Sequence, residues 1–317
     1  MIGSLRFPPM RTVVGSRGMS EPQHEDKKPL FAAPTWSLLM MSKSRFHATP
    51  LVYWIWSMLL ASSLLASEGL AEELRGSITV VGRGPERPVI EKLARAFEKA
   101  HIGTAVDIRW NRNFRTVEMV KVGEADLAVG GREAPDLSAT PIAWDGLAMI
   151  VNFSNPVAAV TTQQAASLFS GTIRDWSELD ERAAGRVRLV VRPDDQNLTD
   201  GFERSLGIAG RIAEGAESIR SDQKVLSRVS GQLDAIGYLS LNAALDAMTY
   251  GMSVRILLVD WVEPGRPTVR SGQYRVKRPV LFLTNMQPSP LVKAFLDLAL
   301  SPEGQKLLDD MYIPLNR

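Results

Sequence analysis

The chain has 317 residues, with 37 Lys+Arg against 35 Asp+Glu, three His and no Cys. That length allows about two domains of ~150 residues, and 45% apolar with 23% charged residues excludes disordered, collagen-like and polytopic membrane chains. Without Cys there is no disulfide framework, thiolate zinc site or Cys nucleophile. His24, His47 and His101 leave little for a metal site or a Ser-His-Asp triad, so composition turns the question from catalysis towards binding.

The longest apolar run, LVYWIWSMLLASSLLA at 51–66, is short for a membrane span. Lys43, Arg45 and His47 precede it, and Gly69 and Ala71 supply small residues before Glu72. These are the parts of a secretory signal cleaved near Ala71, with an uncleaved anchor as the alternative. Met41 begins a signal of ordinary length, so residues 1–40 are expected to come from a start codon placed too early. Residues 1–71 hold seven basic and four acidic residues, so the rest carries 30 and 31, net −1. No basic field for nucleic acid survives that subtraction. An exported, Cys-free chain of this kind suits a bacterial periplasm.

After the leader, SITVVG at 77–82 reads as a buried strand, 83–88 as a turn. Val89, Ile90, Leu93, Ala94, Phe97 and Ala100 predict a helix over about 88–100. AVDIRW at 105–110 predicts a strand, 114–122 a helix, and ADLAVG at 125–130 a strand. This β-α-β-α-β order is that of a parallel, doubly wound sheet. A long strand over 144–152, a helix over 162–169 opened by Thr161 or Thr162, and a strand over 187–191 follow. Helices are predicted from about 199 to 206 and over 221–230, and strands over 235–240, 254–259 and 280–283. Helices over about 289–300 and 302–311 close the chain, with Pro302 suited to a first turn. The reading is an α/β protein of two lobes, each a sheet flanked by helices. The expected boundaries are 1–71 leader, 76–148 with 241–317 first lobe, and 149–240 second lobe. Two crossings between lobes make a hinge and a cleft.

Five segments in order, WDGLAMIVNFSNPV (144–157), TTQQAASLFSGTIRDWSEL (161–179), GFERSLGI (201–208), AIGYLSLNAA (235–244) and PSPLVKAFLDLALSPEGQKLLDDMYIPL (288–315), resemble the phosphate-binding (PstS-like) branch of periplasmic solute receptors. The resemblance covers essentially all of 76–317 and implies the type II periplasmic-binding-protein fold. Independently, Phe169, Ile173, Trp176 and Leu179, and Leu291, Phe295, Leu298 and Leu307, read as packing residues.

Family members bind a tetrahedral oxyanion without metal or other cofactor, through donors on several loops. A desolvated anion needs dense N–H and O–H donors and an arginine fork. Loop one here reads Arg83-Gly84-Pro85-Glu86-Arg87, where the family usually has Gly and Ser/Thr. Gly84 permits close backbone approach and Arg83 offers a charged fork, while Arg87 sits on a helix facing solvent. Loop two has Arg112 as ligand candidate, and Asn113 either as ligand contact or as helix cap. Loop three has Arg132, which could instead pair locally with Glu133. Loop four keeps the family arginine as Arg192, but Gln196, Asn197 and Leu198 stand where Ser-Gly-Thr is usual, and Asp194 and Asp195 would repel a dianion. The expected ligand site is therefore Arg83, Gly84, Arg112, Asn113, Arg132, Arg192, Gln196 and Asn197. Four arginines at one cleft suggest a larger or more exposed anion than enclosed phosphate.

The resemblance implies an exported, monomeric solute-binding protein, not an enzyme, serving an ABC permease or a membrane sensor. A non-transport envelope sensor or adaptor with a degenerate site is the alternative. Asp145, Asp194, Asp195 and Glu133 are the only acid–base candidates for an enzyme, with no nucleophile beside them.

Overall fold

The computed structural model describes residues 74–193 and 196–315. The leader, its cleavage site and the Asp194-Asp195 pair lie outside the described residues.

Strands β1 (Gly76–Gly82), β2 (Thr104–Trp110) and β3 (Leu127–Gly130) pair in parallel, in the order β2-β1-β3. Helix α1 (Arg87–Ala100) joins the first two, and α2 (Thr116–Lys121) the next. Helix α1 forms because Val89, Ile90, Leu93, Ala94 and Phe97 fall on one face, all buried, with proline in its first turn. Ala100, expected on that face, is exposed at the frayed end.

Strand β4 (Ser138–Asn152) starts six residues earlier than its apolar run. Its polar opening Ser-Ala-Thr-Pro reads as loop but pairs antiparallel with β11 (Lys277–Thr284). The register shifts opposite Pro141, a bulge that tolerates the missing donor. Beyond Gly146 the same strand pairs with β8 (Ala235–Ser240) and β9 (Val254–Ile256). Among the described residues, the sheet path runs β2-β1-β3-β11-β4-β8-β6-β7, with β6 at Arg188–Val191 and β7 at Glu217–Ser218. Strand β4 is thus shared, its first half in one core and its second half in another.

Alternation with period two sorts the first sheet's faces. Ile78, Val80, Leu127, Val129, Val280 and Phe282 pack against α1 and α8 (Pro290–Leu300), next to α9 (Pro302–Leu308). Val81, Ala128, Leu281 and Leu283 face the other way, over α2. The second core gathers Leu147–Val151 with α3 (Thr162–Phe169), α4 (Gln196–Ser205) and α5 (Asp222–Gly231). Thr161 and Gln164 cap α3 reciprocally and Ser221 caps α5, as those residue types dictate. Trp176 is 1% exposed and its indole N–H donates to Asp234 O at 2.9 Å, a packed anchor.

Two helices escaped the sequence reading: α6 (Leu241–Thr249) and α7 (Arg266–Ser271). Helix α6 follows β8 with no turn residue between them. Leu241, Ala244, Ala247, Val254, Ile256 and Val269 join the second core, and the chain rejoins the first sheet through β11. The expected strand 254–259 is broken at Leu257, whose N–H reaches Met149 O, into β9 and β10 (Leu258–Val259).

Candidate functional site

Helix α4 carries the junction. Leu198 and Phe202 on one side, with Leu206 just past its end, belong to the second core, where the Phe202 ring stacks on Tyr238 at 4.0 Å. Its other side meets the first sheet. Arg204 donates to Gly131 O at 2.8 Å, and Gly201 lies so close to Arg278 that a Cβ there would stand 2.6 Å from Arg278 Cβ. The helix begins three residues earlier than its sequence pattern suggests, which puts Asn197 in its first turn.

The approach to α4 is strapped. Thr199 Oγ1 donates to Arg192 O at 2.6 Å and lies 2.9 Å from the Tyr238 hydroxyl, which accepts from Arg192 N. Burial pushes the Tyr238 hydroxyl pKa up, so the phenol stays protonated and able to donate. The Arg192 guanidinium is buried and pairs with Asp222 in the first turn of α5.

Two spaces that share lining residues open beside this junction. The inner chamber, about 50 Å³, is lined by Arg83, Thr116, Gly130, Gly131, Arg132 and by Asn197 and Asp200 of α4, with Val117 and Leu283. An outer vestibule of about 520 Å³ shares Arg83, Thr116, Val117 and Arg132, and adds Arg115, Lys121, Glu118 and Glu133. Four cations face two carboxylates there, so the mouth favours anions. The chamber thus takes Arg83 and Arg132 from loops of the first sheet, and Asn197 together with the carboxylate of Asp200 from α4.

Beneath the chamber lies a buried ionic cluster. Arg278 is 0% exposed; its Nη1 donates to Glu86 Oε1 at 2.7 Å, and its Nε to Asp145 Oδ2 at 3.0 Å. Asp145 faces Arg278 across the β4–β11 ladder and also accepts from Ser240 Oγ at 2.6 Å. Glu86 is itself 0% exposed.

Of the expected ligand residues, Arg83, Arg132 and Asn197 line the chamber together. Gly84 sits beside it: its carbonyl accepts from Trp110 Nε1 at 2.9 Å, and a Cβ would strike Glu86 Oε2 at 2.2 Å. Arg112 and Asn113 are exposed and outside both lining sets, and Asn113 N–H closes a local turn on Asn111 Oδ1. Asn113 is not the cap of α2, whose N-cap is Arg115. Arg192 is buried in its pair with Asp222. Gln196 opens α4, its side chain outside the described residues. Asp145, an acid–base candidate in the sequence, is a structural partner of Arg278. Thr116, Asp200, Glu86 and Arg278 were not singled out as ligand residues. Only Glu86, an acid in a glycine-proline turn, carried a readable signal, because the rest converge through tertiary structure.

A family model described as a PBP superfamily domain matches residues 70–303. The chain belongs to the PBP superfamily. Among its relatives, the phosphate-binding protein PstS of Bacillus subtilis is 25% identical over 256 residues, covering 77% of this chain and 82% of its own. An ABC-type phosphate transport receptor from Vibrio cholerae superposes with a TM-score of 0.66 at 23% identity, covering 74% of this chain and 99% of its own. A putative phosphate ABC transporter substrate-binding protein from Clostridium perfringens, solved with phosphate bound, gives 0.63 at 26% identity, covering 76% and 100%. The α/β architecture of this chain is the periplasmic-binding-protein-like fold of those structures. No described helix is long and apolar enough to cross a membrane.

Proposed function

We propose that the chain is an exported substrate-binding protein that captures a phosphate-bearing anion between its two cores for an ABC-type transporter. The observation that carries this reading is the shared chamber. Arg83 and Arg132 on loops of the first sheet face Asn197 on α4 of the second core, with the Asp200 carboxylate outnumbered by the two guanidiniums, and both arginines also line a cationic vestibule. Closing α4 onto the first sheet brings donors from both sides around one anion and expels water, which strengthens each charge-assisted bond. A vestibule of about 520 Å³ leaves room for the body of an organic anion, such as a phosphate monoester, beside the arginines.

The chain acts by binding rather than by chemistry. The expected lobes, 76–148 with 241–317 and 149–240, are best redrawn along the two cores, with the second taking in Leu147 to Val151 and the packing residues Leu241 to Val269 before β11 returns to the first. The protein acts as a monomer without a cofactor, in the periplasm, after loss of residues 1–71 at a cleavage near Ala71. Thermal unfolding with glycerol phosphate, inorganic phosphate, sulfate and carboxylates tests the reading. A rise with phosphate-bearing anions, weakened in Arg83→Ala and Arg132→Ala, supports it. No rise with any anion refutes it and favours a sensor or adaptor with an empty cleft.

A further inference from the structure

Glu86 stands at the N-cap of α1, where a carboxylate could accept the helix's first amide hydrogens, yet its side chain makes no capping bond. It turns inward to Arg278 instead. Among the described residues its second oxygen, Oε2, is buried with no hydrogen-bond partner, and so is Asn197 Nδ2 on α4. Both lie within 3.1 Å of the point where a Cβ on Gly84 would stand. A Cβ on Gly131 would come within 3.5 Å of both Arg278 Nη1 and Asn197 Cβ. A negative group is thus already lodged at the deep end of the site, against a buried guanidinium, between two glycines and the helix of the opposite core.

We propose that Glu86 is a tethered carboxylate that fills the deep anion position, making it the specificity-determining residue of the cleft. An external anion competing for Arg278 must first displace Glu86 and leave its carboxylate buried and uncompensated, which is strongly unfavourable. Bare oxyanions are therefore excluded from Arg278, and ligand is held further out by Arg83 and Arg132. There it needs a body that fills the vestibule, as a phosphate monoester has. The occupancy of the deep position goes beyond the transport reading and is separable from it, because the formate response of the Glu86→Ala variant does not depend on whether the native protein captures any anion.

Glu86→Ala removes the tethered anion and leaves a carboxylate-sized space facing Arg278. Sodium formate, against sodium chloride at equal ionic strength, is expected to raise the melting temperature of this variant saturably. At ten times its dissociation constant, formate multiplies the folding constant about elevenfold. The native protein, Glu86→Gln, whose side chain still fills the space, and Glu86→Ala combined with Arg278→Met are expected to respond no more to formate than to chloride. Inorganic phosphate is expected to bind Glu86→Ala at least about tenfold more tightly than the native protein, about 1.4 kcal/mol. If Glu86→Ala is unfolded in chloride, recovery of its circular dichroism in formate is the same readout. The proposal is overturned by a formate response no larger than that of the native protein, by one that survives Arg278→Met, or by unchanged phosphate affinity.

Discussion

Gly201→Ala sets two effects of opposite sign against each other. Alanine is the better helix former by about 1 kcal/mol in a helix interior, so propensity alone predicts a gain. At Gly201, however, the new Cβ would stand 2.6 Å from Arg278 Cβ and 2.8 Å from its Cδ. Carbon atoms pack best at about 3.5–4.0 Å, so the overlap is about 1 Å. Arg278 cannot step aside, because its guanidinium is held by Glu86 and Asp145 in a fully buried position. The helix must move, loosening the Arg204–Gly131 bond. Overpacking of this kind costs about 1–3 kcal/mol, and a distance this short puts the cost at the upper end. The net expectation is a loss of about 2 kcal/mol, or a fall in Tm of about 4–8 °C for a protein of this size. Urea unfolding with matched melting curves measures it. Gly231→Ala, at the last residue of α5 with nothing within 4 Å of the new Cβ, is the control and should be neutral or slightly stabilising. Stabilisation by Gly201→Ala equal to the propensity gain would refute the close contact of α4 with β11.

Arg278→Met strands two buried carboxylates and should cost about 3–5 kcal/mol in urea unfolding; a loss under about 1 kcal/mol would contradict the buried cluster. Arg83→Ala and Arg132→Ala should each weaken phosphate-monoester binding by about 10- to 100-fold in calorimetry, the weight of one charge-assisted hydrogen bond, whereas Arg112→Ala should leave it unchanged. Asp260 lies at the tip of a tight turn with Trp261, both at positive φ, and its carboxylate accepts from Thr162 N and Oγ1 at 2.8 and 2.6 Å. Those bonds hold its pKa below the usual carboxylate value. A depressed pKa contributes stability above the unfolded value that is lost as pH falls through the folded one. The stability difference between the native protein and Asp260→Asn should therefore be full near about pH 6 and fade below about pH 4; a difference that is constant with pH would contradict it.

Most of the fold was legible because its signals are local. The apolar face of α1, the threonine that opens α3 and the β-branched run of β1 each follow from a few neighbouring residues. The start of β4 was hidden because Ser138–Pro141 looks like a loop and becomes strand only against β11. Helix α6 was hidden because Ser240 ends a strand and starts a helix with no turn residue between. The site was half legible. Arg83, Arg132 and Asn197 were reached through loop positions in the resembled fold, and they do share a chamber. Arg192 held the family position, but Asp222, thirty positions downstream, pairs with it. Arg278 was invisible: between Lys277 and Pro279 it reads as solvated, and its partners lie 133 and 192 positions away.

The most direct test is calorimetric titration of the protein, stripped of ligand by unfolding and refolding, with glycerol phosphate at low and high salt. The account predicts one saturable site, weakened by salt and by either Arg83→Ala or Arg132→Ala, with the fold intact by circular dichroism. Absence of binding to any phosphate-bearing anion, or binding untouched by both substitutions, would contradict it.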